Sequence, residues 1–530
     1  MARYIRKVNL TPVGRAKRNR PETIVVNNMP EMLGRLDLER HVKAALANPM
    51  TDGQSIDLMR ELTEVLSVVG LDAGSAGGSV TFIGSDPVIS SPLALASAAG
   101  VALMAKAVAV GDLWRFRGGE SQDLSVNLGQ VLCRLSPFHD KKWELLNGYA
   151  PGNPADPDSP FWPTNMYRTA DDRWVQLINV YPRTKKSALA FFGCHDDRRA
   201  LADAVRKWNG VELEDAASRA GVQATMLRTF EEFARLPQFQ YIKDMPLIEI
   251  EKIGESDPEP FTSNPEHPLS GVRALGLGHV IAGAGLGRAL AYHGADVLNV
   301  WDPNDFEIDA LYATANVGLR SAMMDLGRVD ELQRFKDLAK DSDIFFANRR
   351  PGYLDKRGLS AQNLAEIRPG MIHVDISIYG PRGPWANRVG FDQTAGGVVG
   401  AFALEGSPDN PQLPRMFAVN DFITSWMASI GVIAALKRRA VEGGSYRIRL
   451  SMARLAIWLL QLGVFGKQYA ASIAGTAGGH EYLPPELFEA DTPLGRYQGV
   501  TDQVQMSRTP GRFKFPLVPR ASGKAVWLPR

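Results

Sequence analysis

The residue best suited to covalent chemistry stands alone at the start of a long apolar run. Asp421 opens the stretch Val419–Leu436 (VNDFITSWMASIGVIAAL), which its spacing predicts as a helix closed by Gly443-Gly444. The alternating residues Tyr446 to Met452 follow as a strand. A carboxylate at a helix N-terminus is kept ionised by the helix dipole, which suits a nucleophile. The same placement suits an ordinary N-cap. Asp392 is a second carboxylate, placed to position reacting groups, to shift Asp421 by its charge, or only to cap a helix. Gly283, Gly285 and Gly287 read as a glycine-rich turn between strand and helix, where backbone N–H groups approach a phosphate. The required G-x-G-x-x-G is absent, so an NAD(P)-dependent oxidoreductase is an alternative and not the leading reading. Arg349-Arg350 and Lys356-Arg357 make a basic turn, either a solvated surface or a neutraliser of phosphates. No nucleophile elbow, P-loop or paired histidines for metal hydrolysis occur, and no metal site is expected.

These residues need a scaffold, and the chain alternates in the way that supplies one. Strands are predicted at Val272–Leu277, Asp296–Val300, Asp343–Ala347 and Met371–Ile378, with helices between them. The expected class is α/β: a Rossmann-like parallel sheet with helices on both faces, plus a smaller α+β domain. Ligands on such sheets bind beyond the carboxyl ends of the strands. The predicted organisation is a basic arm and first helix (1–50), a truncated copy of the later fold (51–135), the small α+β domain (136–253), a Pro-rich linker (254–268) and the catalytic domain (269–530). A hairpin over residues 165–177, turning at Asp171-Asp172, opens the small domain. The order helix, Gly-Gly, alternating strand occurs at 93–128 and again at 421–452. Matching Leu124 to Ile448 gives an offset of 324 and sets Ser97 opposite Asp421. Matching Gly100 to Gly431 gives 331 and points to Ser90. In either register the first copy has no carboxylate between Val88 and Ser97.

The bulk numbers exclude several partners. A net charge of +2 over 530 residues gives no reason to expect nucleic acid. Cys133 and Cys194 alone provide no disulfide framework, which fits a reducing, cytoplasmic location. No run approaches 18 uninterrupted apolar residues, so no membrane span is indicated. Residues 1–20 hold seven Arg and Lys and no acid, and read as a solvated arm.

Residues 269–452 resemble the family III CoA-transferases, the group that includes formyl-CoA and carnitine CoA-transferases. LSGVRALGLGHVIAGAGLGRALAYHGADVLNV (269–300) is similar to the family's opening strand–turn–helix–strand. NVGLRSAMMDL (316–326) resembles N-x-x-K-R-S-x-x-L-D-L, with Leu319 where a lysine is usual. NRRPGYLDKRGLS (348–360), VGFDQTAGGVVG (389–400) and ND-x-x-T-S (420–425) match in the family's order, followed by a closing motif at 492–510. The resemblance implies transfer of CoA between an acyl-CoA and a small carboxylic acid, without a permanently bound cofactor, in an interlocked homodimer. It places the catalytic aspartate on Asp421, with Asp392 beside it. It further implies CoA contacts from His279, Val280, Ala282 and Gly283, and from Arg320, Arg350 and Lys356. Backbone N–H groups of Gly283, Gly396 and Gly397 become candidates for holding an oxyanion. The related racemases need a histidine and a glutamate where Phe391 and Tyr181 stand here, which disfavours racemisation. Segments 166–177 and 221–239 resemble the family's small domain but precede the catalytic half, so the chain reads as a truncated first copy fused to a second. A non-catalytic CoA-binding or scaffold paralogue is the remaining alternative.

Overall fold

The computed structural model describes residues 38–152, 159–416 and 418–530. The basic arm lies outside these residues.

The large sheet is built by short, β-branched and aromatic strands bounded by Gly and Asn. Its spatial order is Arg320–Met323, Asp296–Trp301, Arg273–Leu277, Ile344–Ala347, Ile372–Ser377, Ser445–Ser451 and Glu249–Gly254. The first six are mutually parallel, and the last runs antiparallel on the edge. In chain order the parallel strands read 3-2-1-4-5-6, the doubly wound arrangement, and its switch point lies between Arg273–Leu277 and Ile344–Ala347. Alternate residues feed two cores. Ala274, Val297, Phe346 and Ile448 face one side with helices Ala282–Ala291 and Val419–Glu442. Leu275, Leu298 and Phe345 face the other, under helices Val329–Lys340 and Ala361–Ile367.

Two assignments of the sequence shift. Glu249–Gly254, expected in the small domain, is a strand of the large sheet, held by its ladder and by Arg449 bridging Glu249 and Glu251. At the other end, Val504–Met506 leaves the catalytic half and pairs antiparallel with Gln122–Asn127 of the first copy. The first copy is a parallel pair, Gly77–Ile83 and Gln122–Asn127, joined by helix Leu95–Phe116. Each copy therefore receives an edge strand from the segment that follows the other copy. The two long helices have the length and apolar composition of a membrane span, and both are buried inside the protein, packed on one another.

The offset of 324 is the one the fold uses. Asn127 and Ser451, 324 apart, each end a strand and cap the helix that follows. The small domain is the three-stranded sheet Met166–Arg168, Trp174–Gln176 and Thr225–Met226 with three helices around an aromatic and aliphatic core. Its hairpin turns at Asp172, whose φ of 58° is the left-handed conformation such turns require.

Candidate active site

Asp421 lies in the first turn of Val419–Glu442 with only 7% of its surface exposed. A cleft of about 410 Å³ opens over it, at the carboxyl ends of the strands beside the switch point. Val280, Arg350 and Phe391 line it from the catalytic half, and Asn179, Thr184 and Gln223 from the small domain. One chain thus lines the cleft from both the small domain and the large sheet.

The floor is organised by the turn that leaves the first parallel strand. The Gly278 N–H donates to Asn299 Oδ1 (3.0 Å) and the His279 N–H to Asn348 Oδ1 (2.9 Å). Val280 sits at φ 52°, a conformation that costs a β-branched residue strain, and its N–H donates to Glu307 Oε2 at 2.8 Å. The turn delivers the N-terminus of helix Ala282–Ala291 towards Asp421, so that the Ala282 N–H favours the ionised carboxylate. Burial drives the Asp421 pKa up to about 7; the Ala282 N–H opposes this, and the charge of Glu307 adds to it. Asp392 lies alongside, and its Oδ2 accepts the Asp421 backbone N–H at 2.7 Å. Burial, then repulsion from Asp421, raises Asp392 well above the usual carboxylate range. Two buried carboxyls this close do not both ionise easily, so near neutrality the pair carries at most one negative charge, on Asp421.

The expected site residues fall into two groups. His279, Val280, Arg350 and Asp421 meet in the cleft. His279 also contacts Asp305 (Nε2 to Oδ2, 2.9 Å) and stacks edge-on against Trp301. Gly283 is buried beneath the turn, where any Cβ would collide with Asn348 and Gly278. Its N–H is among the first of the helix, where N–H groups have no intrahelical acceptor, and it keeps its candidacy as a donor.

The others are corrected. Gly396 and Gly397 lie inside helix Asp392–Val399, where N–H groups serve the helix; Gly397 makes room for Leu227 instead. Arg320 stands at the opposite, amino end of its strand, paired through Nε and Nη2 with Asp296 at 2.8 and 3.0 Å. Lys356 is exposed on the turn Asp355–Arg357 and does not line the cleft. Gly283, Gly285 and Gly287 form no phosphate turn: all three are in helix Ala282–Ala291, where Gly285 packs on Ser425 and Gly287 on Leu319 and Phe346. Close helix packing explains these glycines, and a dinucleotide pyrophosphate does not. Leu319, in the place of the usual lysine, is buried under that helix.

Three contributors escaped the sequence reading. Asn348 holds the turn through two hydrogen bonds to the His279 backbone and Glu307 through one to Val280, which no periodicity marks. Asp86 is the third: its carboxylate accepts the Ser97 N–H (2.8 Å), as Asp392 accepts that of Asp421. The first copy thus keeps the bracing carboxylate and carries serine in the reactive place. Residues 479–483 lie over it, with Ser85 N–H on Gly479 O and Leu483 N–H on Gly129 O.

By sequence, the chain is similar to CoA-transferases. Residues 269–492 match the sequence profile of CoA-transferase family III. The chain is 27% identical over 322 residues to an acetyl-coenzyme A transferase of Hypoxylon pulicicidum, covering 56% of this chain and 54% of that protein. It is 30% identical over 250 residues to the succinyl-CoA–L-malate CoA-transferase alpha subunit of Chloroflexus aurantiacus, covering 42% of this chain and 58% of the relative. The chain spans about half the length of the curated relatives it matches. A CAIB/BAIF family protein of Brucella suis of known structure is 29% identical over 37% of this chain and 55% of its own, with a TM-score of 0.35. Over residues 269–492 the chain is similar to CoA-transferase family III.

Proposed function

We propose that this chain is a CoA-transferase that moves CoA between an acyl-CoA and a carboxylic acid, with Asp421 as nucleophile. The observation that carries this reading is the buried Asp421 carboxylate on the floor of the cleft, beside a helix N-terminus, with burial pushing its pKa up to about 7. A desolvated carboxylate is a stronger nucleophile than a solvated one, and covalent catalysis divides a hard exchange into easier steps.

An Asp421 oxygen attacks the thioester carbonyl, the C–S bond breaks, and CoA leaves as thiolate with an acyl–aspartyl anhydride behind it. The thiolate attacks the aspartyl carbonyl, the donor acid departs as carboxylate, and an aspartyl-CoA thioester remains. The acceptor carboxylate attacks that thioester, giving a second anhydride and the thiolate. The thiolate takes the new acyl group and Asp421 is regenerated. Each attack places negative charge on a carbonyl oxygen, for which the Gly283 N–H is the available donor. Asp392 braces the Asp421 backbone, and the Asp421 charge in turn helps keep Asp392 protonated. The stacked pair Tyr181–Phe391 occupies the places where racemases carry proton-transferring groups, which supports transfer over racemisation.

The test is quenching with hydroxylamine after mixing with acetyl-CoA or succinyl-CoA, followed by peptide mapping. A hydroxamate on Asp421, lost in Asp421→Asn, is the expected result. No label from a panel of donors, with titration calorimetry showing NAD⁺ bound and CoA not, would overturn the reading.

A further inference from the structure

Tyr181 belongs to the small domain, at the residue before helix Pro182–Phe192, and it reaches Asp421 by two routes. Its hydroxyl donates to Glu307 Oε1 at 2.8 Å, and the other oxygen of Glu307 accepts the Val280 N–H at 2.8 Å. Oε1 also accepts the Ile308 N–H at 3.0 Å, so the buried carboxylate is spoken for on both oxygens. Val280 is the strained residue of the turn; it lines the cleft with Asp421 and leads into helix Ala282–Ala291, whose N-terminus faces the carboxylate. A strained backbone persists only where its surroundings over-determine it, and Glu307 is one of the groups that do so. The second route is through the ring. Tyr181 lies flat on Phe391, centroids 5.9 Å apart and planes 2° from parallel. Phe391 leads directly into Asp392, whose carboxylate holds the Asp421 N–H.

We propose that Tyr181 and Glu307 are a positioning pair through which the small domain clamps the Val280 turn and the Phe391–Asp392 corner onto Asp421. Neither touches the reacting atoms; both act through the backbone around the nucleophile. Burial and the Glu307 charge hold the Tyr181 phenol well above its ordinary pKa, so it remains a donor throughout the working pH range. Misplacement of reacting groups by about 1 Å costs on the order of a hundredfold in rate, so a clamp of this kind acts on the attack step more than on binding.

The inference rests on Asp421 being the nucleophile, and the test separates the two. Tyr181→Phe, which keeps the stack and removes the hydroxyl, Glu307→Gln, the double variant and Asp421→Asn are each mixed with whichever of acetyl-CoA and succinyl-CoA labels the wild type. Hydroxylamine trapping gives the rate of thioester attack, and calorimetry gives the affinity for free CoA. Each single clamp variant is expected to slow trapping about 10–100-fold with CoA affinity changed less than about threefold, a split that general unfolding does not produce. The double variant is expected to be no slower than the worse single, because the two residues act as one unit. Trapping in Tyr181→Phe within about twofold of wild type, or losses that multiply in the double variant, would overturn the clamp while Asp421→Asn stays inert. Trapping that survives in Asp421→Asn, or no labelling of the wild type, would instead overturn the nucleophile reading and the clamp with it.

Discussion

Replacing Asp421 by Asn is expected to make the protein more stable in alkaline solution while abolishing turnover. The Asp421 pKa rises from 3.8 to about 7 on folding, chiefly through burial. A carboxyl whose folded pKa is raised leaves stability intact below its unfolded pKa. That stability is lost as pH climbs through the folded value, because the buried group must then carry its charge. About three pKa units correspond to roughly 4 kcal/mol above pH 8, undiminished by solvent because the side chain is buried. Asn removes that charge and caps nearly as well as Asp. Its added NH₂ finds no assured partner, which costs about 1–2 kcal/mol. The net gain is about 2–3 kcal/mol above pH 8, falling to zero or below near pH 5, where Asp421 is already protonated. For 530 residues the unfolding entropy is on the order of 1.1 kcal/mol/K, so the thermal midpoint should rise by about 2–3 °C at pH 8.5. Thermal scans of both proteins from pH 5 to 8.5 measure this directly. Midpoints that run parallel across that range would show that Asp421 carries no buried charge, and the electrostatic account of the site would fail.

Two further outcomes test the scaffold and the limits of the site. Lys106, fully buried in helix Leu95–Phe116, pairs with Asp502 near Arg134, joining the first copy to the C-terminal segment. Lys106→Met should cost about 3–5 kcal/mol in urea unfolding, since it strands a buried carboxylate; a loss under about 1 kcal/mol would contradict that pairing. Arg320→Ala should leave the calorimetric affinity for CoA within about twofold, because the residue serves Asp296 at the far end of the sheet; a tenfold loss (about 1.4 kcal/mol) would return it to the site.

Local order was readable because it is written in local residues. Strand alternation, helix spacing and the Gly-Gly closures located the parallel strands and the Asp421 helix to within a few positions, since hydrophobic periodicity is itself the demand of a two-faced sheet. The strand Arg320–Met323 was visible only as part of a motif, being four residues long. The three glycines of 283–287 misled for a physical reason: glycine serves close helix packing as well as phosphate approach, and only Ser425, Leu319 and Phe346 beyond the helix tell the two apart.

The sequence by itself determined where the proposed carriers of the chemistry stand: Asp421 at a helix start, Asp392 in a second helix, and no acid between Val88 and Ser97 of the earlier helix region. Tertiary structure alone decided their condition. Burial, which depends on every neighbouring element, sets the Asp421 pKa near neutrality. The pairing of Tyr181 with Glu307, 126 residues away, joins the halves of the cleft. The exchange of edge strands between copies depends on which ladder is left open, a property of the assembled sheets and of no single segment.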